Sequence, residues 1–516
     1  MTRNVTRIAI DPSRPVGKLD RKVFGGFVEH LGRCIYGGLY EEGSPLSDDR
    51  GFRKDVLALL RELRMGVLRW PGGNFVSNYH WVDGIGQRDS RPRRPELAWG
   101  GEESNRFGTD EYLAYCAELG TEPYICLNMG TGTLAEALDW VEYCNGTRDT
   151  EWANRRRQNG RAEPSRVTYW GLGNEMYGDW QVGALSAEEY VREATRWARA
   201  IRMLDPQAKL VSCGMNGWNE WDRVVIDGTA AMVDYHSLHI YTGSADYWTN
   251  VLAPHQAQRA IDCTRTLIRR AAYRQKLAAP PRIAYDEWNV WYRNMNGALE
   301  ERYDFADALA VATYLNIFVR NCDWVQMANL AQLVNAIAPI VTSPGSVAVQ
   351  PIWYPVLLHA QAALDTAVDV HVTGPVVSPD LAGGPSRWPH RVTDLGPFTL
   401  VDAAATVSAK SVSAHRRGLG GGGLGEGGSD GRVAVTMVNR NPDEPETTEI
   451  VLRDHAFDRT VAIRTVTAGN REQSRVLPDV ETANLEEGSV TAANGTVVIT
   501  LPPRSFTVLE AGLTSR

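Results

Sequence analysis

Glu175 closes the run Tyr169-Trp170-Gly171-Leu172-Gly173-Asn174-Glu175-Met176, an apolar, glycine-relieved stretch that ends abruptly in an amide and a carboxyl. Glu287 closes a second such run, Ile283-Ala284-Tyr285-Asp286-Glu287-Trp288-Asn289, where the carboxyl sits among aromatic residues. Each reads as a buried strand that delivers its acid to a C-terminal tip, where barrel enzymes keep their chemistry. Two carboxyls on two strand tips suit the cleavage of a glycosidic bond. With retention, one protonates the leaving oxygen and the other attacks the anomeric carbon across about 5 to 5.5 Å, whereas inversion needs a wider gap. The pair must also differ in proton affinity. A third run, Ser237-Leu238-His239-Ile240-Tyr241, alternates so that Ser237, His239 and Tyr241 share one face, from which a hydroxyl or imidazole can hold one carboxylate ionised. A lone glutamate at a strand end is more often a cap or a structural residue. The pairing inside a repeated pattern gives these two their weight.

That pattern is eight short apolar strands, each followed by a helical stretch, the signature of βα units. The strands are predicted near Val23 to Glu29, Gly66 to Pro71, Glu122 to Met129, Val167 to Glu175, Lys209 to Gly214, Val233 to Tyr241, Arg282 to Trp288 and Trp324 to Leu330. Helices are predicted at 52–63, 109–119, 133–144, 186–204, 219–227, 254–276, 303–320 and 351–364. In the fourth helix Ser186 and Glu189 form a capping box, and Tyr190, Ala194, Trp197, Ile201 and Leu204 recur at helical spacing. Its opposite face carries Arg192, Arg196, Arg199 and Arg202, read as a solvated face. After Leu364 the helices give way to turn-punctuated alternating runs, such as Val433 to Val438, Thr460 to Arg464 and Thr496 to Thr500. The expected fold class is therefore α/β: a (β/α)8 TIM barrel over residues 19–365 with a C-terminal antiparallel, jelly-roll-like β-sandwich over 366–516. The alternating segment at 3 to 10 cannot be a domain alone. Residues 1–18 are expected to complete the sandwich, the strand ending at Asp11-Pro12-Ser13-Arg14-Pro15.

Composition narrows the partners. Sixty-two acidic against 54 basic residues give a net charge of −8, no footprint for nucleic acid or an anionic membrane. A neutral substrate is expected, and sixteen Trp and nineteen Tyr supply faces on which sugars stack. No apolar span of membrane length and no secretory leader are read, so neither membrane attachment nor export is expected. Seven scattered cysteines without a C-x-x-C pair read as reduced core thiols of a cytoplasmic protein. His236 and His239 face opposite sides of one strand and no cysteine or H-E-x-x-H cluster accompanies them, so no metal is expected. No G-x-G-x-x-G joins a strand to a helix, and the glycine-rich segment 418–431 lacks the Lys-Ser/Thr of a phosphate loop; it reads as a flexible hairpin extension. No cofactor is expected.

Taken together, Trp170 to Met176 and Tyr285 to Tyr292 closely resemble the motifs of glycoside hydrolase family 51, the α-L-arabinofuranosidases. The resemblance runs from Phe24 to Pro355 and includes Gly25-Gly26-Phe27-Val28-Glu29-His30, Leu68-Arg69-Trp70-Pro71-Gly72-Gly73-Asn74-Phe75, Ser237 to Tyr241 and Gln350-Pro351-Ile352-Trp353-Tyr354-Pro355. It implies a retaining, exo-acting enzyme that releases terminal arabinofuranosyl units from arabinan or arabinoxylan oligosaccharides. It places the acid/base at Glu175 and the nucleophile at Glu287. Asn174 would bind the sugar 2-hydroxyl and Tyr241 would orient Glu287. Glu29, Asn74 and Gln350 would hold the remaining hydroxyls, with Trp99 and Trp291 walling the pocket. Arg69 is read as a clamp behind the substrate, because a neutral furanose gains little from a guanidinium; the plainer reading of Glu29 is an ion pair with Arg69. Loops around Trp99 and Trp180 would shape a pocket or a cleft. The resemblance also implies a homo-oligomer, often a hexamer. The alternatives are a related retaining β-xylosidase or endo-glucanase on the same barrel, and a non-catalytic sugar-binding barrel.

Overall fold

The computed structural model describes residues 5–293, 299–378, 392–408, 431–472 and 480–515. Eight parallel strands close a barrel: Gly25–Phe27, Val67–Trp70, Glu122–Leu127, Tyr169–Leu172, Lys209–Ser212, Tyr235–Thr242, Arg282–Val290 and Val325–Ala331. The last pairs with the first, Leu330 opposite Gly26. Helices follow each at Lys54–Glu62, Thr109–Leu119, Leu134–Asn145, Ala187–Leu204, Glu220–Thr229, His255–Gln275, Phe305–Arg320 and Trp353–Ala362. The capping box of Ser186 and Glu189 is formed, and Tyr190, Ala194, Trp197 and Ile201 are buried; Leu204, in the last turn, is 41% exposed. The lower barrel is plugged by Val67, Tyr124, Tyr169, Val211, Tyr235, Ala284 and Met327, so the interior is a packed core and the open mouth lies at the strands' C-terminal ends.

Two helices escape the sequence pattern. Glu151–Gln158 is polar almost all round, burying only Ala153 and Arg156, so it has no apolar period to read. Tyr247–Leu252 has six residues, too short for a period to repeat.

Among the described residues the C-terminal unit is built on a ten-stranded sheet curled into a sandwich. Ile8, Ile10, Val435, Ile450, Val497 and Leu509 fill its inside. Val438, Phe506 and Val508 on its outer face pack on Phe305, Leu309 and Leu358 of the barrel helices. Asp402 of the sheet accepts hydrogen bonds across this seam from Asn316 Nδ2 at 2.8 Å and Arg320 Nη1 at 3.1 Å. The N-terminal strand does join this sheet, but with two departures from the expected pattern. It pairs antiparallel with Thr366–Thr373 and parallel with Glu446–Leu452, so the sheet is not wholly antiparallel. It also runs from Thr6 to Lys18, through the prolines expected to stop it. The parallel partner covers only Thr6 to Ile10; beyond it one side of the strand is an edge, where a missing proline N–H costs no ladder bond, and register shifts at Asp11 to Gly17 absorb the bend. Almost all of the glycine-rich segment lies outside the described residues.

Candidate active site

Glu175 was expected on a strand. The fourth strand instead ends at Leu172, Gly173 turns with φ 78°, and Glu175 itself sits at φ 43°. That left-handed backbone costs a residue with a Cβ about 1 to 3 kcal/mol, strain of the kind held at functional sites. Its carboxylate accepts from Tyr177 Oη at 3.1 Å, Trp180 Nε1 at 3.1 Å and His239 Nδ1 at 3.0 Å. Burial raises its proton affinity, but His239, through its hydrogen bond and charge, together with Trp180 and Tyr177, outweighs burial and holds the carboxyl below the usual range.

Glu287 lies within the seventh strand, which continues to Val290. Arg69 Nη1 donates to its Oε2 at 2.8 Å and Tyr241 Oη to its Oε1 at 2.7 Å, so both oxygens are engaged as an anion's would be. Oxygens of Glu175 and Glu287 and a nitrogen of His239 all lie within 4.8 Å of one another. Two carboxylates and an imidazole are also a donor set for a divalent cation. Here every carboxylate oxygen already accepts from Arg69, Tyr241, Trp180 or Tyr177 and His239.

Asp286 was singled out by no spacing argument, because strict alternation turns it away from Glu287. The structure has a bulge here: Ala284 is opposite Ser237 while Glu287 is opposite His239, one residue too many on the seventh strand. Asp286 and Glu287 therefore both reach His239. Nε2 lies 3.2 Å from Asp286 Oδ1, and Nδ1 lies 3.3 Å from Glu287 Oε2. Tyr124 Oη donates to Asp286 Oδ2 at 2.7 Å. Burial raises the Asp286 carboxyl, but Arg69, His239 and Tyr124 together hold it below the ordinary value. Burial by itself would discharge His239; the charges and hydrogen bonds of Glu287, Asp286 and Glu175 push it up to about 10. His236, by contrast, faces outward to Ser212 Oγ and Asp222 Oδ1, at 3.0 and 2.9 Å, as a satisfied structural histidine.

Arg69 is fully buried over the Phe27 ring and ties the site together: besides Glu287 it donates to Asp286 O at 3.1 Å and Asn174 Oδ1 at 2.5 Å. It does not pair with Glu29. With Oδ1 taken, the Asn174 amide presents Nδ2 as a buried donor with no partner among the described residues. Nδ2 is thus available to a ligand.

Glu29 accepts from Phe75 N at 3.0 Å, Trp99 Nε1 at 3.0 Å and Gln332 Nε2 at 3.0 Å. Burial, helped by the charge of Glu287, pushes its carboxyl up to about 8. Gly73 must be glycine for this: a Cβ there would fall 2.3 Å from Glu29 Oε2. Asn74 is half-buried, its Oδ1 held by Gln181 Nε2. Trp99 and Trp180 are 37% and 52% exposed, each bonded through its indole nitrogen to a site carboxylate, Glu29 and Glu175. Beside Trp99 a recess of about 260 Å³ opens among His30, Tyr36, Glu96 and Glu103. Trp291 stands edge-on to Tyr241 with ring centroids 5.4 Å apart.

Gln350 sits differently from the others. It is fully buried, its Oε1 accepting from Tyr303 N at 3.1 Å and its Nε2 donating to Glu301 O and Ala338 O at 3.1 and 2.7 Å. One donor is spent on the loop after the seventh strand and the other on the loop after the eighth, leaving one lone pair of Oε1 for a ligand. Tyr177, Gln181, Gln332 and Asp286 are contacts that sequence reasoning missed. Tyr177, two residues past Glu175, and Asp286, next to Glu287, had only their nearness in the chain as a signal.

Sequence models of the α-L-arabinofuranosidase 1 domain and the α-L-arabinofuranosidase C-terminal domain match residues 59–259 and 286–505. The chain is 49% identical over 453 residues to α-L-arabinofuranosidase C of Emericella nidulans, covering 84% of each. It is 39% identical over 378 residues to the intracellular exo-α-(1→5)-L-arabinofuranosidase 1 of Bacillus subtilis, covering 69% of this chain and 75% of that one. Among solved structures, the arabinose complex of the Thermotoga maritima α-L-arabinofuranosidase superposes with TM-score 0.85 at 37% identity, over 98% and 100% of the two chains. The family 51 enzyme of Thermotoga petrophila gives 0.84 at 36%, over 98% and 99%. With the paired carboxylates on the barrel mouth, these likenesses place the chain in glycoside hydrolase family 51, the α-L-arabinofuranosidases, to which it belongs.

Proposed function

We infer that the protein releases terminal α-L-arabinofuranosyl units from arabinan or arabinoxylan oligosaccharides by double displacement. The observation that carries this is the approach of Glu175 and Glu287, with oxygens within 4.8 Å, beside the unpartnered Nδ2 of Asn174. The spacing is short of the roughly 6.5 to 9.5 Å that an inverting pair needs and suits direct attack. Glu287, aimed by Arg69 and Tyr241, attacks the anomeric carbon while Glu175 protonates the departing oxygen. Glu175 then takes a proton from the water that cleaves the glycosyl ester. Asn174 Nδ2 meets the sugar 2-hydroxyl, a bond that strengthens as positive charge develops on the ring. Glu29 and Asn74 serve the remaining hydroxyls and Trp99 and Trp291 wall the sugar. Gln350 contributes through its remaining lone pair and by holding the loop behind it.

A cytoplasmic setting, in keeping with the intracellular Bacillus subtilis relative, and short, imported substrates are part of the same reading. A homo-oligomer is expected from family resemblance.

The test is nitrophenol release from 4-nitrophenyl α-L-arabinofuranoside beside the β-D-xyloside and β-D-glucoside, for wild type and Glu287→Ala. Arabinoside turnover that disappears in the variant, and returns with azide as an inverted glycosyl azide, supports the reading. A folded wild type that turns over none of the three refutes it.

A further inference from the structure

The site poses a problem of proton supply. The acid must hold a proton before it can give one, yet His239, Tyr177 and Trp180 all donate to Glu175 as they would to a carboxylate. Asp286, buried beneath them, touches neither the proposed sugar position nor the reacting atoms. Its Oδ1 meets only the oblique contact of His239 Nε2 at 3.2 Å and has no well-aligned donor among the described residues. A buried carboxylate oxygen left this way is costly unless a cation faces it.

We propose that Asp286 is a positioning residue that keeps the site's mobile proton on His239, and that each turnover passes this proton from His239 Nδ1 to Glu175 Oε1, 3.0 Å away, and back. This rests on the roles given to Glu175 and Glu287 above. In the resting site the imidazolium donates through Nδ1 to Glu175 and turns the charged Nε2 side toward Asp286 Oδ1, 3.2 Å away. Transfer of the Nδ1 proton yields a neutral carboxyl on Glu175 and a neutral imidazole that keeps its proton on Nε2, the tautomer Asp286 selects. The partner on one ring nitrogen fixes the state of the other.

The same transfer removes a positive charge lying 3.3 Å from Glu287 Oε2, so acid and nucleophile are readied in one step. Glu175 then gives its proton to the glycosidic oxygen as the bond to carbon breaks and Glu287 forms the ester. When water attacks, Glu175 receives the proton of that water and returns it to His239 Nδ1, closing the cycle without a further reactant.

Every element around His239 bears on its charge. Glu287 and Asp286 face it from the seventh strand and Glu175 from the turn after the fourth. Behind these, Arg69 and Tyr241 hold Glu287, Tyr124 holds Asp286, Tyr177 holds Glu175, and the Cys213 thiol lies against the Met176 amide. Three carboxylates against one guanidinium favour the cation, consistent with a His239 proton affinity pushed up to about 10.

The experiment compares Asp286→Asn with wild type on two substrates, methyl α-L-arabinofuranoside and 2,4-dinitrophenyl α-L-arabinofuranoside, from about pH 4 to about pH 10. The dinitrophenolate leaves without a proton. The variant is expected to lose at least about tenfold more kcat/KM on the methyl glycoside than on the dinitrophenyl glycoside. The alkaline limb of its methyl-glycoside profile moves to lower pH, because the imidazolium has lost a negative neighbour. Equal losses on both substrates with an unmoved limb would assign Asp286 a structural role only and overturn the proposal. Should the variant not fold, NMR of the 15N-histidine-labelled wild type decides: an imidazolium at His239 at neutral pH supports the proposal, and a neutral ring overturns it. A wild type inert on both glycosides would remove the assigned function itself, and the proposal with it.

Discussion

Replacing Glu175 by alanine separates the two halves of the reaction. With an alkoxide leaving group, loss of the general acid costs about 10²- to 10⁴-fold, roughly 3 to 6 kcal/mol at about 1.4 kcal/mol per decade. With 2,4-dinitrophenolate the first step needs no proton, so the glycosidic bond still breaks. The ester on Glu287 then accumulates, because the attacking water has lost its base. A burst of dinitrophenol followed by slow release is the expected record in stopped flow. The variant also empties the space that the carboxylate fills between Tyr177, Trp180 and His239. Azide entering there approaches the anomeric carbon on the face opposite Glu287. It should restore the second step and yield an arabinofuranosyl azide of retained configuration, identified by NMR. Losses of equal size with both leaving groups and no burst would show that Glu175 does not protonate the leaving oxygen. An azide of inverted configuration would exchange the roles of the two glutamates.

Other consequences can be measured separately. Asn174→Ala should cost one to two decades in kcat/KM on an arabinofuranoside, roughly 1.4 to 3 kcal/mol, but leave the 2-deoxy analogue at the ratio set by the disturbed Arg69 alone; equal ratios on both sugars would deny Nδ2 its hydroxyl. Because Glu175 sits at φ 43°, Glu175→Gly should resist urea better than Glu175→Ala by about 1 kcal/mol, the relief of a left-handed Cβ less the extra freedom of glycine in the unfolded chain. His255 packs against Phe398, and burial together with the charge of Arg440 pulls it down to about 3. The unfolded chain binds this proton below about pH 6.5 and the folded one does not, so stability falls as pH drops from there toward 3, by about 1.4 kcal/mol per unit. Urea midpoints between about pH 7 and 4.5 should decline more steeply in wild type than in His255→Phe, and parallel profiles would refute the assignment.

The eight-unit barrel was legible because each strand is a short apolar run and several long helices carry a buried stripe at their own period, as in Tyr190, Ala194, Trp197 and Ile201. The two glutamates were legible for a related reason: an acid that ends an apolar run has few structural excuses, and two of them on strand tips define one mouth. His239 and Tyr241 followed from alternation, which a regular strand obeys. Asp286 did not, because the bulge that turns it toward His239 is a matter of register with the neighbouring strands and leaves no mark in the local pattern. The fate of Arg69 likewise depended on which of several buried carboxylates the closed barrel brought nearest; it went to Glu287 and Asp286, and Glu29 was left to Phe75, Trp99 and Gln332. The N-terminal strand could be assigned to the distant sheet from its isolation, but not its parallel partner or its passage through two prolines, which depend on where that partner stops. The sequence by itself determined the eight βα units and which side chains are proposed to carry the chemistry, since period and residue type are local properties. Only the tertiary structure decided which buried charges face one another, because that depends on distances of about 3 Å between residues far apart in the chain.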